Sequence, residues 1–107
     1  MDPIYSTATE YTANEITLSR GTAADITGVG VFHSTDPTDV PTVAQFTMTT
    51  LVEPGDELAD GNKIDVLTLV GPRAGQVNLA AGDWQRWVLV TTATEDIIRK
   101  VDVVTVL

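Results

Sequence analysis

The segment LAAGDWQRWVLV, residues 79–90, places two tryptophans three positions apart in a run that otherwise has the composition of a β-strand. Successive side chains of a strand point to opposite faces, so Trp84 and Trp87 are expected on different sides of their sheet. The neighbouring apolar residues continue this alternation. We therefore expect Trp84, Val88 and Val90 in the core, and Trp87 with Leu89 on the outer face.

The outer face of this strand has two interpretations. A tryptophan beside a leucine on an acidic domain is a candidate docking face, because tryptophan offers a large amphipathic contact surface. Alternatively, the face is covered by a loop of the domain or by its N-terminal segment, since apolar atoms are common near protein surfaces. The sequence leaves both interpretations open.

The rest of the chain predicts an all-β fold. Threonine, valine and alanine dominate, and turn signals such as Asp36-Pro37, Pro54-Gly55 and Gly71-Pro72 recur between short β-branched runs. This pattern is typical of an antiparallel sandwich or barrel. Residues 93–96 are interpreted as a hairpin turn before the last strand. The predicted strands are 15–19, 26–33, 43–52, 63–70, 76–79, 84–92 and 97–106.

Two of these strands have informative patterns. In the strand at 43–52, Phe46 and Met48 share one face and polar residues occupy the other, so both are expected in the core. The strand at 63–70 is apolar on both faces, which indicates a central strand or an interface. Gly28 and Gly30 have no helix after them and are expected to mark a bulge or a close backbone approach.

The length and the first residues suggest the domain organisation. A chain of 107 residues predicts a single domain. Residues 1–14 are expected to form an N-terminal arm or an edge strand, in which Tyr5 and Tyr11 could contact a partner, and residues 15–107 the β domain. The start has no basic region followed by an apolar one, so we expect no signal peptide.

The charge excludes several classes of partner. The formal net charge is −9, with six Lys and Arg residues and no cysteine. Nucleic acids and anionic membranes are bound through clusters of Lys and Arg, so we expect neither partner. No apolar run approaches the roughly 18 residues of a membrane-spanning helix. A thiol nucleophile and a thiolate metal site are excluded by the composition.

No constellation of residues indicates catalysis, so we expect no enzyme and no cofactor. His33 lies near Ser34, Asp36 and Asp39, but triad residues meet in space rather than within one loop. A strand-end histidine before an Asp-Pro turn is the favoured interpretation. The acidic stretch at 53–65 could supply oxygen ligands to calcium, but its spacing does not match an EF-hand loop. A solvated hairpin loop is favoured there, and no metal site is predicted.

The C-terminal third carries a resemblance. The run VNLAAGDWQRWVLVTTATEDIIRKVDVVTVL resembles the closing hairpin of immunoglobulin-like β-sandwich domains, with Trp84 where a tyrosine is more usual. Within it, GDWQRWVLVTTATED is similar to a stretch of small virion proteins from tailed bacteriophages of actinobacteria. The resemblance implies an immunoglobulin-like β-sandwich of about seven to eight antiparallel strands.

The resemblance also implies a function. Such virion proteins are structural, and we expect a capsid decoration protein that binds the outside of the head and stabilises it. Its partners would be the major capsid protein or other virion proteins, with a homo-oligomer on the particle. It would be made in the cytoplasm of the bacterial host. The alternatives are a tail or head-tail connector module, or a carbohydrate- or receptor-binding β-sandwich.

Overall fold

Six β-strands make up most of the part of the chain that the structure describes. The computed structural model describes residues 3–5, 7–18, 25–48, 51–54, 63–73 and 76–107. A short 3-10 turn, Val43–Gln45, lies between the second and third strands. The strands are β1 (Glu10–Thr17), β2 (Ile26–Ser34), β3 (Leu51–Pro54), β4 (Lys63–Val70), β5 (Gly82–Thr92) and β6 (Asp96–Val106).

The strands form two antiparallel sheets. The first, called the β4 sheet after its central strand, has the order β1-β4-β3, and the second, the β5 sheet, has the order β2-β5-β6. An isolated parallel bridge joins Ile4 to Val106. In that bridge the Ile4 N–H donates to the Thr105 carbonyl at 2.8 Å, and the Leu107 N–H donates to the Ile4 carbonyl at 2.8 Å. The prediction of an all-β, antiparallel fold is confirmed.

The two sheets pack face to face, and the strands β1 and β4 of the first sheet bury alternate residues against the second. In β4 every second residue is buried, from Ile64 to Val70. These residues meet the buried face of β5, where Val88 and Val90 are each 1% exposed. One core cluster joins residues of both sheets: Ile16, Leu18, Val29, Val31, Ile64, Val66, Val88 and Val90. Burial of this much apolar surface is the main favourable contribution to folding.

A second cluster fills the other end of the domain. Here the N-terminal segment contributes Ile4, which is 2% exposed and packs with Val104 and Val106 of β6. Val70 and Leu79 complete the cluster, and Trp84 packs against it. Ile4, close to the start of the chain, thus belongs to the core at this end.

The predicted strand at 43–52 is wrong over its first half. The Thr42 N–H donates to the Gln45 side-chain oxygen at 2.8 Å, and the Gln45 N–H donates back to the Thr42 carbonyl at 3.0 Å. The first bond is the Gln45 half of a capping box and the second closes a 3-10 turn; together they compete with strand pairing at this point. Thr47 then forms a single bridge with Val31, and the strand proper is Leu51–Pro54.

The predicted strand at 76–79 is also absent from the described residues. Only Val77 pairs, through a bridge to Val70. The side-chain oxygen of Gln76 accepts hydrogen bonds from the Thr9 hydroxyl at 3.1 Å and the Arg73 N–H at 3.2 Å. These bonds hold the chain in a turn here. The described part of the domain therefore has six strands, rather than the seven to eight expected.

The first and last strands differ from their predicted bounds. β1 begins at Glu10, so the expected boundary at residue 14 falls inside a strand at the edge of its sheet. The expected hairpin turn before the last strand is confirmed, with β5 ending at Thr92 and β6 beginning at Asp96. The Thr92 hydroxyl accepts the Glu95 N–H at 3.1 Å and stabilises that turn. In the described residues, no helix has the length and apolar character needed to cross a membrane.

Candidate functional site

The alternation of β5 places the two tryptophans on opposite faces, as predicted. Trp84 packs against the cluster between the sheets. Trp87 lies opposite Phe32 of β2 and Lys100 of β6, on the face that points away from the other sheet. Val88 and Val90 share the interior side with Trp84, as expected. The direction of each side chain therefore followed from strand periodicity alone.

Leu89 corrects the expected interface. It lies on the outer face but is 0% exposed, so it cannot present an accessible surface. Its neighbour in the register is Gly30, and a Cβ atom built there would lie 2.6 Å from Met48 Sδ and 2.9 Å from the Thr47 carbonyl. Phe46 packs on Phe32 with a ring separation of 6.1 Å. Thus residues 46–48 cover this part of the face, as the second interpretation proposed.

Met48 corrects the expected core. It is 48% exposed, whereas Phe46 is 8% exposed. The two were placed together because a continuous strand was predicted there, and the 3-10 turn removes that relationship. Both instead lie over the outer side of the β5 sheet, next to Gly28 and Gly30. A bulge or a close backbone approach was expected at these glycines: a register shift lies between Ile26 and Gly28, and the Thr47 carbonyl closely approaches Gly30.

The two indole N–H groups differ in their environment. Trp84 is half-buried, and its Nε1 donates to the Ala80 carbonyl at 2.9 Å, four residues earlier. Trp87 is also half-buried, but its Nε1 is out of contact with solvent and has no hydrogen-bond partner among the described residues. Trp87 is therefore less available to a partner than the sequence suggested.

Tyr5 and Tyr11 are the exposed aromatic residues. Tyr5 is 64% exposed and Tyr11 is 62% exposed. Tyr11 lies opposite Leu69, and Ala13 opposite Leu67, on the outer side of the β4 sheet. Both leucines are half-buried. We call this surface of Tyr11, Ala13, Leu67 and Leu69 the tyrosine face.

A polar group that the sequence analysis did not single out lies between the sheets. Arg86 is 0% exposed. Its Nη1 donates to the Thr12 hydroxyl and, at 3.1 Å, to the Asn14 side-chain oxygen, both on β1. Its Nη2 is buried without a partner in the described part of the chain. Strand periodicity could have predicted this position, because Arg86 lies on the same face of β5 as Trp84 and Val88.

His33 is the third partner of this arginine. The Arg86 Nε–H donates to His33 Nε2 at 2.9 Å, so the imidazole must be neutral with its proton on Nδ1. Burial, assisted by the positive charge of Arg86, lowers the pKa of His33 to about 3. Burial also lowers the pKa of Arg86 to about 10, while the charge of Asp102 acts in the opposite direction. The guanidinium remains charged at neutral pH.

The residues that follow His33 form a turn. The Asp36 carboxylate accepts the Thr38 N–H at 2.9 Å and the Thr38 hydroxyl at 2.7 Å, and these bonds lower its pKa. The Ser34 hydroxyl accepts the Asp36 N–H at 3.1 Å. Ser34 and Asp36 thus bond within the turn, while the imidazole bonds to Arg86 on the interior side. This arrangement is the strand-end histidine and Asp-Pro turn that the sequence favoured.

The acidic stretch at 53–65 lies largely outside the described residues, so calcium binding there stays untested. Among the residues that the structure describes, no group of three or more His, Asp or Glu side chains is arranged to hold a metal ion.

No protein-family model, curated protein or solved structure matches this chain.

Proposed function

We propose that this chain is a non-enzymatic structural module of a bacteriophage virion, most simply a capsid decoration protein with an immunoglobulin-like fold. It would dock on the major capsid protein or another virion protein through an exposed apolar face. Many such contacts, repeated around a symmetric shell, give strong attachment by avidity even where each contact is weak.

The strand order supports the immunoglobulin-like part of the proposal. Domains of this type pair strands B, E and D in one sheet and C, F and G in the other. The orders β1-β4-β3 and β2-β5-β6 match these two sheets when the six strands are taken as B to G in chain order. No described strand takes the place of strand A beside β1.

Trp84 supports the same fold. Immunoglobulin-like domains carry a tyrosine near the start of strand F, whose hydroxyl bonds to the backbone a few residues upstream. Trp84 stands near the start of β5, and its Nε1 bonds the Ala80 carbonyl at 2.9 Å. Trp84 thus makes a contact like that of the tyrosine corner in immunoglobulin-like domains.

The exposure of the two tyrosines is the observation that carries the docking role. Tyrosine supplies large contact area at low conformational entropy cost and is enriched at protein interfaces. Tyr11 stands beside two half-buried leucines, so a partner would bury a continuous apolar surface there. We therefore move the proposed docking surface from Trp87 and Leu89 to the tyrosine face, with Tyr5 near the same end of β4.

Co-sedimentation with assembled, undecorated capsids of the encoding phage tests this proposal. We expect saturable binding at a fixed ratio to capsid subunits. Tyr11→Ser should weaken binding at least about tenfold, because it removes an aromatic anchor from the interface. Val40→Ser is the matched control, since Val40 is 69% exposed and lies in the loop between β2 and the 3-10 turn rather than on the tyrosine face.

Two results would argue against this assignment. If the protein is present in purified virions but does not bind capsids, it belongs to the connector or tail. If it is absent from virions, the virion role is wrong, and carbohydrate or receptor binding becomes the next candidate.

A further inference from the structure

Two edge strands from different sheets lie side by side on one side of the domain. β1 is an edge of the β4 sheet, and β6 is an edge of the β5 sheet. A groove of about 350 Å³ opens between them, lined by 15–17 on β1 and 99–101 on β6. Ile16, Val101 and the nearby Ile97 belong to the core or pack against it. The groove therefore lies directly beside the core.

The exposed edge of β6 carries hydrogen-bonding groups that point away from β5. The Thr92 N–H donates to the Glu95 carbonyl at 2.9 Å, which makes this pair a hydrogen-bonded one. Because hydrogen-bonded and non-hydrogen-bonded pairs alternate in an antiparallel ladder, Asp96, Ile98 and Lys100 direct their N–H and C=O groups outward. The described residues pair with this edge only at its far end, where Ile4 bridges to Val106.

The two edges carry opposite charge where they line the groove. There β1 contains Glu15, and β6 contains Arg99 and Lys100, the one adjacent pair of basic residues in the sequence. All three are exposed, and the two aspartates of β6, Asp96 and Asp102, lie outside this stretch. The Glu15 carboxylate contacts Lys63 Nζ at 3.4 Å on its own sheet and stays open enough to meet a second cation.

The two edges also run in opposite directions. Near one end, Thr12 and Asn14 meet Arg86, whose neighbour on β6 is Asp102. At the groove, residues 15–17 meet residues 99–101. Residue numbers thus rise along β1 as they fall along β6.

From these observations we propose that the groove is the interface of a two-fold symmetric homodimer in which β1 of each copy pairs with β6 of the other. A two-fold axis parallel to the strands brings the groove sides of the two copies together, so that the β4 sheet of one copy lies edge to edge with the β5 sheet of the other. This rotation does not change the position of a residue along the strand axis. Glu15 of one copy therefore stands opposite Lys100 of the other. Because the strands run in opposite directions, the new pairing is antiparallel, and two six-stranded sheets result.

Pairing of β6 with the β6 strand of a second copy would leave β1 as an exposed edge, whereas the β1–β6 pairing covers both edges. A β6 pair centred on Arg99 would also place Asp96 against Asp102, and like charges directly opposite one another destabilise a sheet. A β6 pair centred on Ile98 would place Asp96 against Lys100, but it does not involve Glu15, so the Glu15→Lys variant distinguishes it from the β1–β6 pairing.

A charge exchange tests the proposal on the full chain. Sedimentation velocity at about 0.15 M salt, where long-range repulsion between the acidic copies is screened, measures the dimer dissociation constant. We expect Lys100→Glu and Glu15→Lys each to weaken the dimer at least about tenfold, because like charges then face each other. The double variant E15K/K100E should restore dimerisation to near the wild-type level.

Arg73→Glu provides the matched control. It makes the same change in net charge as Lys100→Glu, at an exposed position in the turn after β4. It should leave the dissociation constant unchanged.

Three outcomes would overturn the proposal: a wild-type protein that stays monomeric at every accessible concentration, single variants that dimerise normally, or a double variant that does not recover. The test needs no capsid, so its failure would leave the virion role untouched. Conversely, a dimer with the expected charge dependence would stand even if the protein were absent from virions.

Discussion

At the scale of single residues, Arg86 shows how a charged group is accommodated between two apolar clusters. Its hydrogen bonds in the described residues end on a hydroxyl, an amide and an imidazole rather than on a carboxylate. A buried cation held only by neutral acceptors needs each of them, because leaving a buried polar group unpaired costs about 1–3 kcal/mol. Arg86 and its partners on β1 therefore fix how the two sheets face each other.

His33 makes the stability of the domain depend on pH. Its pKa is about 3 in the folded protein, against 6.5 for an unperturbed histidine. Between these values the unfolded chain binds a proton that the folded protein does not, so stability falls as the pH falls. The full contribution is present above pH 6.5. The slope reaches about 1.4 kcal/mol per pH unit for one proton.

Urea unfolding at a series of pH values measures this slope. His33→Gln keeps an acceptor for Arg86 but cannot be protonated. We therefore expect the free energy of unfolding of this variant to lose its dependence on pH between pH 6.5 and about 5. Most carboxylates titrate below this range, so they contribute little to the comparison. Equal slopes in the two proteins would show that His33 is not the titrating group.

The two tryptophans should respond differently to removal of the indole N–H. Trp84→Phe loses the hydrogen bond to the Ala80 carbonyl, whereas Trp87→Phe removes a buried N–H that has no partner in the described residues. We expect the first change to destabilise the domain by about 1 kcal/mol more than the second. Thermal unfolding of both variants measures the difference, and a larger loss at Trp87 would contradict the assignment.

At the same scale, periodicity predicted directions but not burial. The sequence placed Trp87 and Leu89 outward correctly, yet Leu89 is 0% exposed. Alternation with a period of two predicts which face of a sheet a side chain occupies. It does not predict whether a segment distant in sequence covers that face and buries the side chain. The same rule, applied to Arg86, indicates a charge facing the interior.

At the scale of elements, the segment at 46–48 depends on the absence of a side chain at Gly30. A Cβ atom there would lie 2.9 Å from the Thr47 carbonyl and 2.6 Å from Met48 Sδ. At Gly28 the nearest atoms are the ends of side chains, Met48 Cε and Thr91 Oγ1, each at 3.0 Å. A side chain can turn away from such a contact more easily than backbone can.

Gly30→Ala should therefore destabilise the domain by about 1–3 kcal/mol, and Gly28→Ala by less. Gly30→Ala should also expose Leu89, since the covering segment must move. Urea unfolding gives the stabilities, and dye binding to exposed apolar surface reports the displacement. Equal effects at the two glycines would show that backbone contact at Thr47 does not decide the packing.

The same segment shows why this element was mispredicted. The alternation of Ala44, Phe46 and Met48 has the period of a strand, but Thr42 and Gln45 bond each other's backbone and close a 3-10 turn first. The strands that were predicted correctly, such as β4 and β5, have no competing local bonds of this kind among the described residues. Local polar contacts thus outweighed the hydrophobic alternation at 44–48.

At the scale of the whole molecule, composition and turn spacing were enough to predict an antiparallel all-β protein. They could not predict which strands would share a sheet, because pairing depends on contacts between residues far apart in sequence. The groove between β1 and β6 arises from that pairing: the two strands stand at opposite ends of the chain and line it together. The candidate interface was therefore beyond the reach of local sequence patterns.

The dimer should make thermal stability depend on protein concentration. Association stabilises the folded state by mass action, so a protein that dimerises only when folded unfolds at a higher temperature in more concentrated solution. We expect the melting temperature of the wild-type protein to rise as the protein concentration is increased a hundredfold. The melting temperature of Lys100→Glu should stay nearly constant over the same range. At the lowest concentration, the two proteins should melt at similar temperatures, because Lys100 is exposed in the monomer. If the variant were less stable by the same amount at every concentration, Lys100 would act within one copy, and β6 would have no partner strand in solution.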